Sequence, residues 1–192
     1  MIIFTTENNM DHLLKIHRFS FNHPESMNLD FEEVDWLKEI FNDLDSIREK
    51  FPDQEKDMLQ VELQLVRKTN STFNDHFIIR GKINCHYYAP CIRCLAPSKE
   101  TINVDFAACY LLASLENSEE YKDLSDIYCD GEEMDLYFFD KGKIDLKELV
   151  NEHVHLNANP HPVHSENCKG LCSLCGFNLN FGKCIHHRIE KK

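Results

Sequence analysis

Along the chain the spacing of apolar residues changes period, and each change marks an element. Residues 12–21 mix apolar and basic side chains and predict a first strand, followed by a loop over 22–30 that holds His23-Pro24 and Asn28. Val34, Leu37, Ile40, Phe41, Leu44, Ile47 and Phe51 recur at helical spacing and predict a helix over 31–51. Asp30 and Glu33 offer it a capping box, Pro52 ends it, and Trp36 lies beside the stripe, at an edge of the buried face in preference to a partner contact. Alternation follows. Leu59, Val61, Leu63 and Leu65 share one face of a strand, and a turn is expected over Lys68–Thr72. Phe77, Ile79, Gly81, Ile83, Cys85 and Tyr87 line a second strand, and Ile102, Val104, Phe106, Ala108, Tyr110 and Leu112 a third. Residues 115–135 are acidic and weakly patterned, which predicts a mobile loop, and Leu136–Phe139 a short strand. Asp145 and Glu148 form a second capping-box pattern, opening a helix through about His155 that Asn159-Pro160-His161-Pro162 breaks.

Short links between alternating runs predict an α+β fold: an antiparallel meander, with barrel closure left open, two main helices and a C-terminal zinc-binding tail. The expected division is a body over 1–160, with the acidic helix 31–51 and a basic hairpin, and a zinc-knuckle-like tail over 161–192.

No run of 18 apolar residues exists, so no membrane span is expected. The N-terminus shows no signal-peptide pattern, which gives a cytoplasmic expectation in which nine cysteines mean metal or bare thiols before disulfides. The net charge of −12 is uneven. Residues 64–100 carry +4 and residues 167–192 again +4, leaving −20 on the rest. Such asymmetry points to nucleic acid, or to acidic helices in water beside basic strands.

The cysteines change the picture most. Cys168, Cys172, Cys175 and Cys184, with His186, follow the pattern C-x3-C-x2-C-x8-C-x-H. A Cys-x-x-Cys-Gly turn brings two thiolates to one ion, its backbone N–H groups facing the sulfurs, and the other ligands close a tetrahedron. A structural Zn2+ site is the reading, against free thiols or a disulfide. Leu171, Leu174, Phe177, Leu179 and Phe181 are too few to fold this tail alone, and metal would supply the difference. Cys91 and Cys94 make a further Cys-x-x-Cys in the turn between the second and third strands. Either the tail binds its own zinc with Cys91 and Cys94 packed nearby, or these two join tail ligands and pin the tail to the sheet. The self-contained tail site is preferred because its local spacing offers four ligands. Cys85, Cys109 and Cys129 read as buried thiols. His164 lies four residues before Cys168, but the histidines other than His186 read as solvated surface.

Three segments carry a resemblance. Cys91-Ile92-Arg93-Cys94-Leu95, Ile144-Asp145-Leu146-Lys147-Glu148-Leu149-Val150-Asn151-Glu152, and the run from Cys168-Lys169-Gly170-Leu171-Cys172 through Cys175-Gly176 to Asn178-Leu179-Asn180 resemble the YceD-like family, the large ribosomal RNA subunit accumulation proteins of bacteria and plastids. The family tail usually ends C-x-C where this chain has Cys184-Ile185-His186, an exchange that zinc tolerates. The resemblance implies ribosome assembly, with large-subunit ribosomal RNA precursor or a large-subunit ribosomal protein as partner, and no catalytic mechanism.

The residues agree in offering no P-loop, H-E-x-x-H or G-x-S-x-G. The leading expectation is a non-enzymatic assembly factor. Arg67, Lys68, Arg80, Lys82 and Arg93 would meet phosphates, Tyr87 and Tyr88 would stack on unpaired bases, and Lys169, Lys183 and Arg188 would extend the track. For Tyr87 a place in the core has equal weight, since its strand neighbours are apolar. The alternative is an acidic adaptor whose 31–51 helix and 115–135 loop hold a basic ribosomal protein. A thiol oxidoreductase using Cys91 and Cys94 ranks third.

Overall fold

The computed structural model describes residues 11–45 and 58–188, the last two without their side chains. Three long strands dominate, as the alternation requires: β3 (Met58–Asn70), β4 (Asn74–Pro90) and β5 (Pro97–Leu112). They pair antiparallel in sequence order, with Leu63 opposite Gly81 and Gly81 opposite Phe106. The turn between β3 and β4 lies at residues 71–73, so β3 runs through the Lys68–Asn70 stretch expected to turn. β2 (Glu25–Asp30) adds to the outer edge of β3, and β7 (Glu132–Phe139) lies beside β5 with β6 (Asp126–Cys129) beyond it. The result is an open six-stranded sheet, not a barrel. The β5–β7 pair is parallel, so the sheet is not a pure meander. A separate two-stranded ribbon joins β1 (Leu13–Lys15) to β8 (Lys143–Asp145).

Two helices cover one face of the sheet. α1 (Asp35–Leu44) and α2 (Leu146–Asn157) set Leu37, Ile40, Leu146 and Val150 against Leu59, Leu65, Phe77, Ile79 and Ile83, all buried. Trp36 is buried with them. Asp145 caps α2 as its pattern predicts, its Oδ1 accepting from Glu148 N at 3.1 Å. Asp145→Ala should cost about 1 kcal/mol in chemical denaturation and Asp145→Asn much less, because Asn caps as well as Asp. The box at Asp30 does not form. Asp30 accepts from Glu32 N at 2.9 Å in the turn that leaves β2, and α1 starts only at Asp35 with no side-chain cap. Ile47, Phe51 and Pro52 lie outside the described residues.

The opposite face carries a second core of Val66, Ile78, Cys109, Leu111, Met134 and Leu136. It exists because the acidic segment expected to be a mobile loop instead supplies β6, the start of β7 and the buried Tyr121. Asp130-Gly131 forms the two-residue hairpin turn, with φ +55° and +93°. Glycine suits this left-handed backbone and Asp tolerates it. The hairpin tip reaches back across the sheet. Asp130 pairs with Lys68 of β3 and, at 2.9 Å, with Arg80 of β4, while Glu132 accepts from Arg80 Nε at 2.6 Å. These pairs hold the acidic hairpin tip against the sheet, while Tyr121, Ile127, Cys129 and Met134 are buried in the second core. Of the segment expected to be a loop over 22–30, residues 22–24 are irregular and Glu25–Asp30 forms the strand β2, since Met27 and Leu29 alternate but for too short a run to register. The first strand is short and gives way to a 3-10 turn over Ile16–Arg18. No helix among the described residues is long and apolar enough to cross a membrane.

Candidate metal centre

The β4–β5 turn and the C-terminal segment meet. Cys91 and Cys94 are both buried, and Cys168 packs beside them. Cys91 N donates to Ala96 O at 2.8 Å and Leu95 N to Cys91 O at 2.9 Å, which folds the turn so that both thiols face one side. The tail is laced on by backbone bonds. Ile92 N donates to Pro162 O at 2.9 Å and Leu171 N to Arg93 O at 3.0 Å. The Arg93 guanidinium donates to the Glu166 and Cys168 carbonyls, each at 3.3 Å. Gly170 takes φ +73°, and a Cβ there would sit 3.1 Å from Arg93 O, so glycine is what lets the two backbones close.

This docking assembles the first group. Cys91, Cys94, His164 and Cys168 bring their ligand atoms within 4.8 Å of one another. Cys91 Sγ lies 3.9 Å from Cys168 Sγ, and Cys94 Sγ 3.3 Å from His164 Nδ1. Burial works to raise the Cys91 thiol, but hydrogen bonds from His164 and from the backbone N–H groups of Arg93 and Cys94 outweigh it and hold the group low. Cys172, Cys175, Cys184 and His186 form a second group under the same 4.8 Å limit. Here the Leu174 and Cys175 N–H groups hold the Cys172 thiol down, at about 6, as the Cys-x-x-Cys-Gly turn predicts. The Asn178-Leu179-Asn180 run ties the two groups together. Asn180 Oδ1 accepts from Lys169 N at 2.8 Å, its Nδ2 donates to Asn178 Oδ1 at 2.8 Å, and the same amide lies 3.5 Å from Cys168 Sγ.

Each group offers three thiols and one imidazole, a donor set able to hold a metal ion. The structure thus divides what the spacing suggested. Cys168 leaves the other tail ligands and joins Cys91 and Cys94, while His186 takes its place in the tail. His164 is exposed, as expected, and nevertheless completes the first group. Its signal was available, since His164-x3-Cys168 is the missing half of a four-ligand set with Cys91-x2-Cys94. His153, by contrast, though expected at the surface, is buried and stacks on Phe106 at 4.1 Å. Its position on the Leu146, Leu149, Val150, Val154 stripe was the signal there. Cys85, Cys109 and Cys129 are buried thiols.

The cations expected to contact phosphate separate into two sets. Arg67 forms a two-pronged pair with Asp75 at 3.0 and 2.6 Å, and Lys68 and Arg80 are held by the hairpin tip. Arg93 anchors the tail. Lys82 is half-buried on β4, and Lys169 and Lys183 are exposed on the tail. Tyr87 is core, its hydroxyl accepting from Asn159 N at 3.1 Å, and Tyr88 is half-buried. The Arg188 side chain lies outside the described residues.

Fold and site together define an α+β protein whose C-terminal segment is built around two Cys3His groups, one of them shared with a sheet turn. Residues 79–192, more than half of the chain and including every member of both groups, match the family described as large ribosomal RNA subunit accumulation protein YceD, and the chain belongs to that family. The family is named for an accumulation role and not for a reaction. The chain is 30% identical over 111 residues to "Large ribosomal RNA subunit accumulation protein YCED homolog 1, chloroplastic" of Zea mays. That alignment covers 47% of this chain and 36% of the maize protein, so the chain spans little more than a third of that relative's length. No solved structure matches it.

Proposed function

We propose that this protein is a non-enzymatic ribosome-assembly factor that supports accumulation or processing of large-subunit (23S) ribosomal RNA, acting in the cytoplasm and holding Zn2+ in both Cys3His groups. The observation that carries the reading is that the family match takes in both groups and the turn that joins them. Three thiols and an imidazole suit zinc, and four protein ligands with no open position suit a structural ion, not a catalytic one. In the first group Cys91, Cys94, His164 and Cys168 would hold the ion, and in the second Cys172, Cys175, Cys184 and His186. Meeting His164 and Cys168 favours metal over thiol exchange for Cys91 and Cys94. The body and tail then act as a platform and a docked RNA-facing segment. Because Arg67, Lys68 and Arg80 are paired internally, phosphate contact falls to Lys82, Lys169, Lys183 and Arg188. In-cell ultraviolet crosslinking of the tagged protein should give discrete peaks on large-subunit ribosomal RNA. A sample without RNA peaks but enriched in one basic ribosomal protein would overturn direct contact.

One observation favours the adaptor as a second reading. Beside α2 a cleft of about 330 Å³ is lined by Asp105, Asp126, Glu133 and Asp135, a concentration of carboxylates suited to a basic protein segment. Charge reversal at these positions should abolish capture of such a partner and leave RNA crosslinks in place.

A further inference from the structure

The tail shows an unusual surface for so small a segment. Leu174 is 75% exposed, Phe181 86% and Ile185 77%, and Phe177 is exposed as well. Solvated single apolar residues need no explanation, but two phenylalanines four positions apart on a cysteine-rich knob do. They are not left outside by disorder of the backbone. Cys172 N donates to Phe177 O at 2.9 Å, Phe181 N to Asn178 O at 3.1 Å and Leu179 N to Gly170 O at 2.9 Å, so both rings ride on a hydrogen-bonded frame. The same segment carries two exposed lysines. The Lys169 backbone N–H donates to Oδ1 of Asn180, the neighbour of Phe181, and Lys183 follows Phe181 by two.

We infer that Phe177 and Phe181 form a stacking platform for unpaired RNA bases, with Lys169 and Lys183 receiving the flanking phosphates. The inference rests on the RNA-binding reading and gives it a site. The partner follows from charge. A basic ribosomal protein would meet Lys169 and Lys183 with like charge, whereas a single RNA strand offers phosphates to the lysines and flat, apolar faces to the rings. Base stacking on aromatic rings tolerates any sequence, and zinc-built knobs suit it because the metal replaces the core that a small module lacks. Duplex RNA, its bases already stacked, would gain only the phosphate contacts.

The test is fluorescence anisotropy of the zinc-loaded full chain with a labelled eight-nucleotide polyuridine strand and a labelled RNA duplex. The strand should bind more tightly than the duplex, and affinity should fall steeply with salt. Phe177→Ala and Phe181→Ala should each weaken strand binding about tenfold and leave duplex binding unchanged. Phe177→Leu and Phe181→Leu, which keep an apolar side chain without the flat ring, should lose nearly as much. Lys169→Gln with Lys183→Gln should weaken both RNAs and flatten the salt dependence. Leucine variants that bind as well as the parent, or alanine variants unchanged, would overturn the platform. Crosslinks to ribosomal RNA that persist in cells carrying Phe177→Ala and Phe181→Ala at parental strength would also reject the platform while leaving the assembly reading standing. A parent chain that binds neither RNA and gives no crosslinks would reject both.

Discussion

Cys91→Ser with Cys94→Ser is expected to release the C-terminal segment while the sheet stays folded. The reason lies in how the segment is held. Most of its large apolar side chains are outside, and its attachment to the body is a few hydrogen bonds around Arg93, the packing of Val163 and Leu171, and the group that Cys91 and Cys94 complete. Zinc contributes about 10–16 kcal/mol to the folding of small zinc modules, far more than those bonds supply. Without the two thiols, His164 and Cys168 cannot hold an ion alone. Amide hydrogen exchange over residues 161–172 should rise by at least about a hundredfold, the ~2.7 kcal/mol that two factors of ten represent, while the Leu59–Leu65 and Phe77–Ile83 amides keep their protection. The knuckle at Cys172–His186 should retain its own metal and its own slow amides. Loss of protection throughout the sheet would mean that the first group supports the body as well as the tail.

Gly81→Ala is expected to destabilise the body by about 2 kcal/mol, an effect out of scale with one methyl group. Gly81 lies opposite Phe106 in the sheet, and the Phe106 ring folds across the strand onto it. A Cβ at Gly81 would meet the ring at 2.1 Å, far inside van der Waals contact. The ring cannot move away freely, because it stacks on the buried His153 at 4.1 Å. Phe106→Ala should cost about 3–5 kcal/mol. Adding Gly81→Ala to that variant should then be neutral or stabilising by about 0.5–1 kcal/mol, since alanine is the better strand residue once the clash is gone. The change of sign in the double-mutant cycle, measured by urea unfolding, identifies the ring as the cause. Equal costs in both backgrounds would place the strain elsewhere.

Elements whose information is local can be read from the residues, and those that depend on distant partners cannot. Long alternation specifies β3, β4 and β5 because each has one face in the core over many residues, and the Tyr87 ring goes inside with its strand neighbours. The Asp145 cap is legible because both partners sit three residues apart. The acidic segment misleads because its tip is paired from 50 to 62 residues away, Asp130 by Arg80 and Lys68, and nothing nearby announces it. A separation of 27 residues between partners such as Ala108 and Asp135 likewise hides the parallel β5–β7 pairing. Cysteine spacing finds the candidate ligands almost completely, yet it partitions them by closeness in sequence. Folding partitions them by closeness in space, and the β4–β5 turn claims Cys168 from its neighbours. The strand cations are legible as a basic cluster. Their use inside the protein, against Asp75, Asp130 and Glu132, is not.

Zinc counting by native mass spectrometry of the full chain tests the two-group arrangement most directly. The parent should carry two ions. Cys91→Ser with Cys94→Ser should leave one, and Cys172→Ser with Cys175→Ser should also leave one, each pair removing a different ion. A parent with a single zinc, retained without Cys91 and Cys94 and lost without Cys172 and Cys175, would contradict it and return Cys168 to a self-contained tail site.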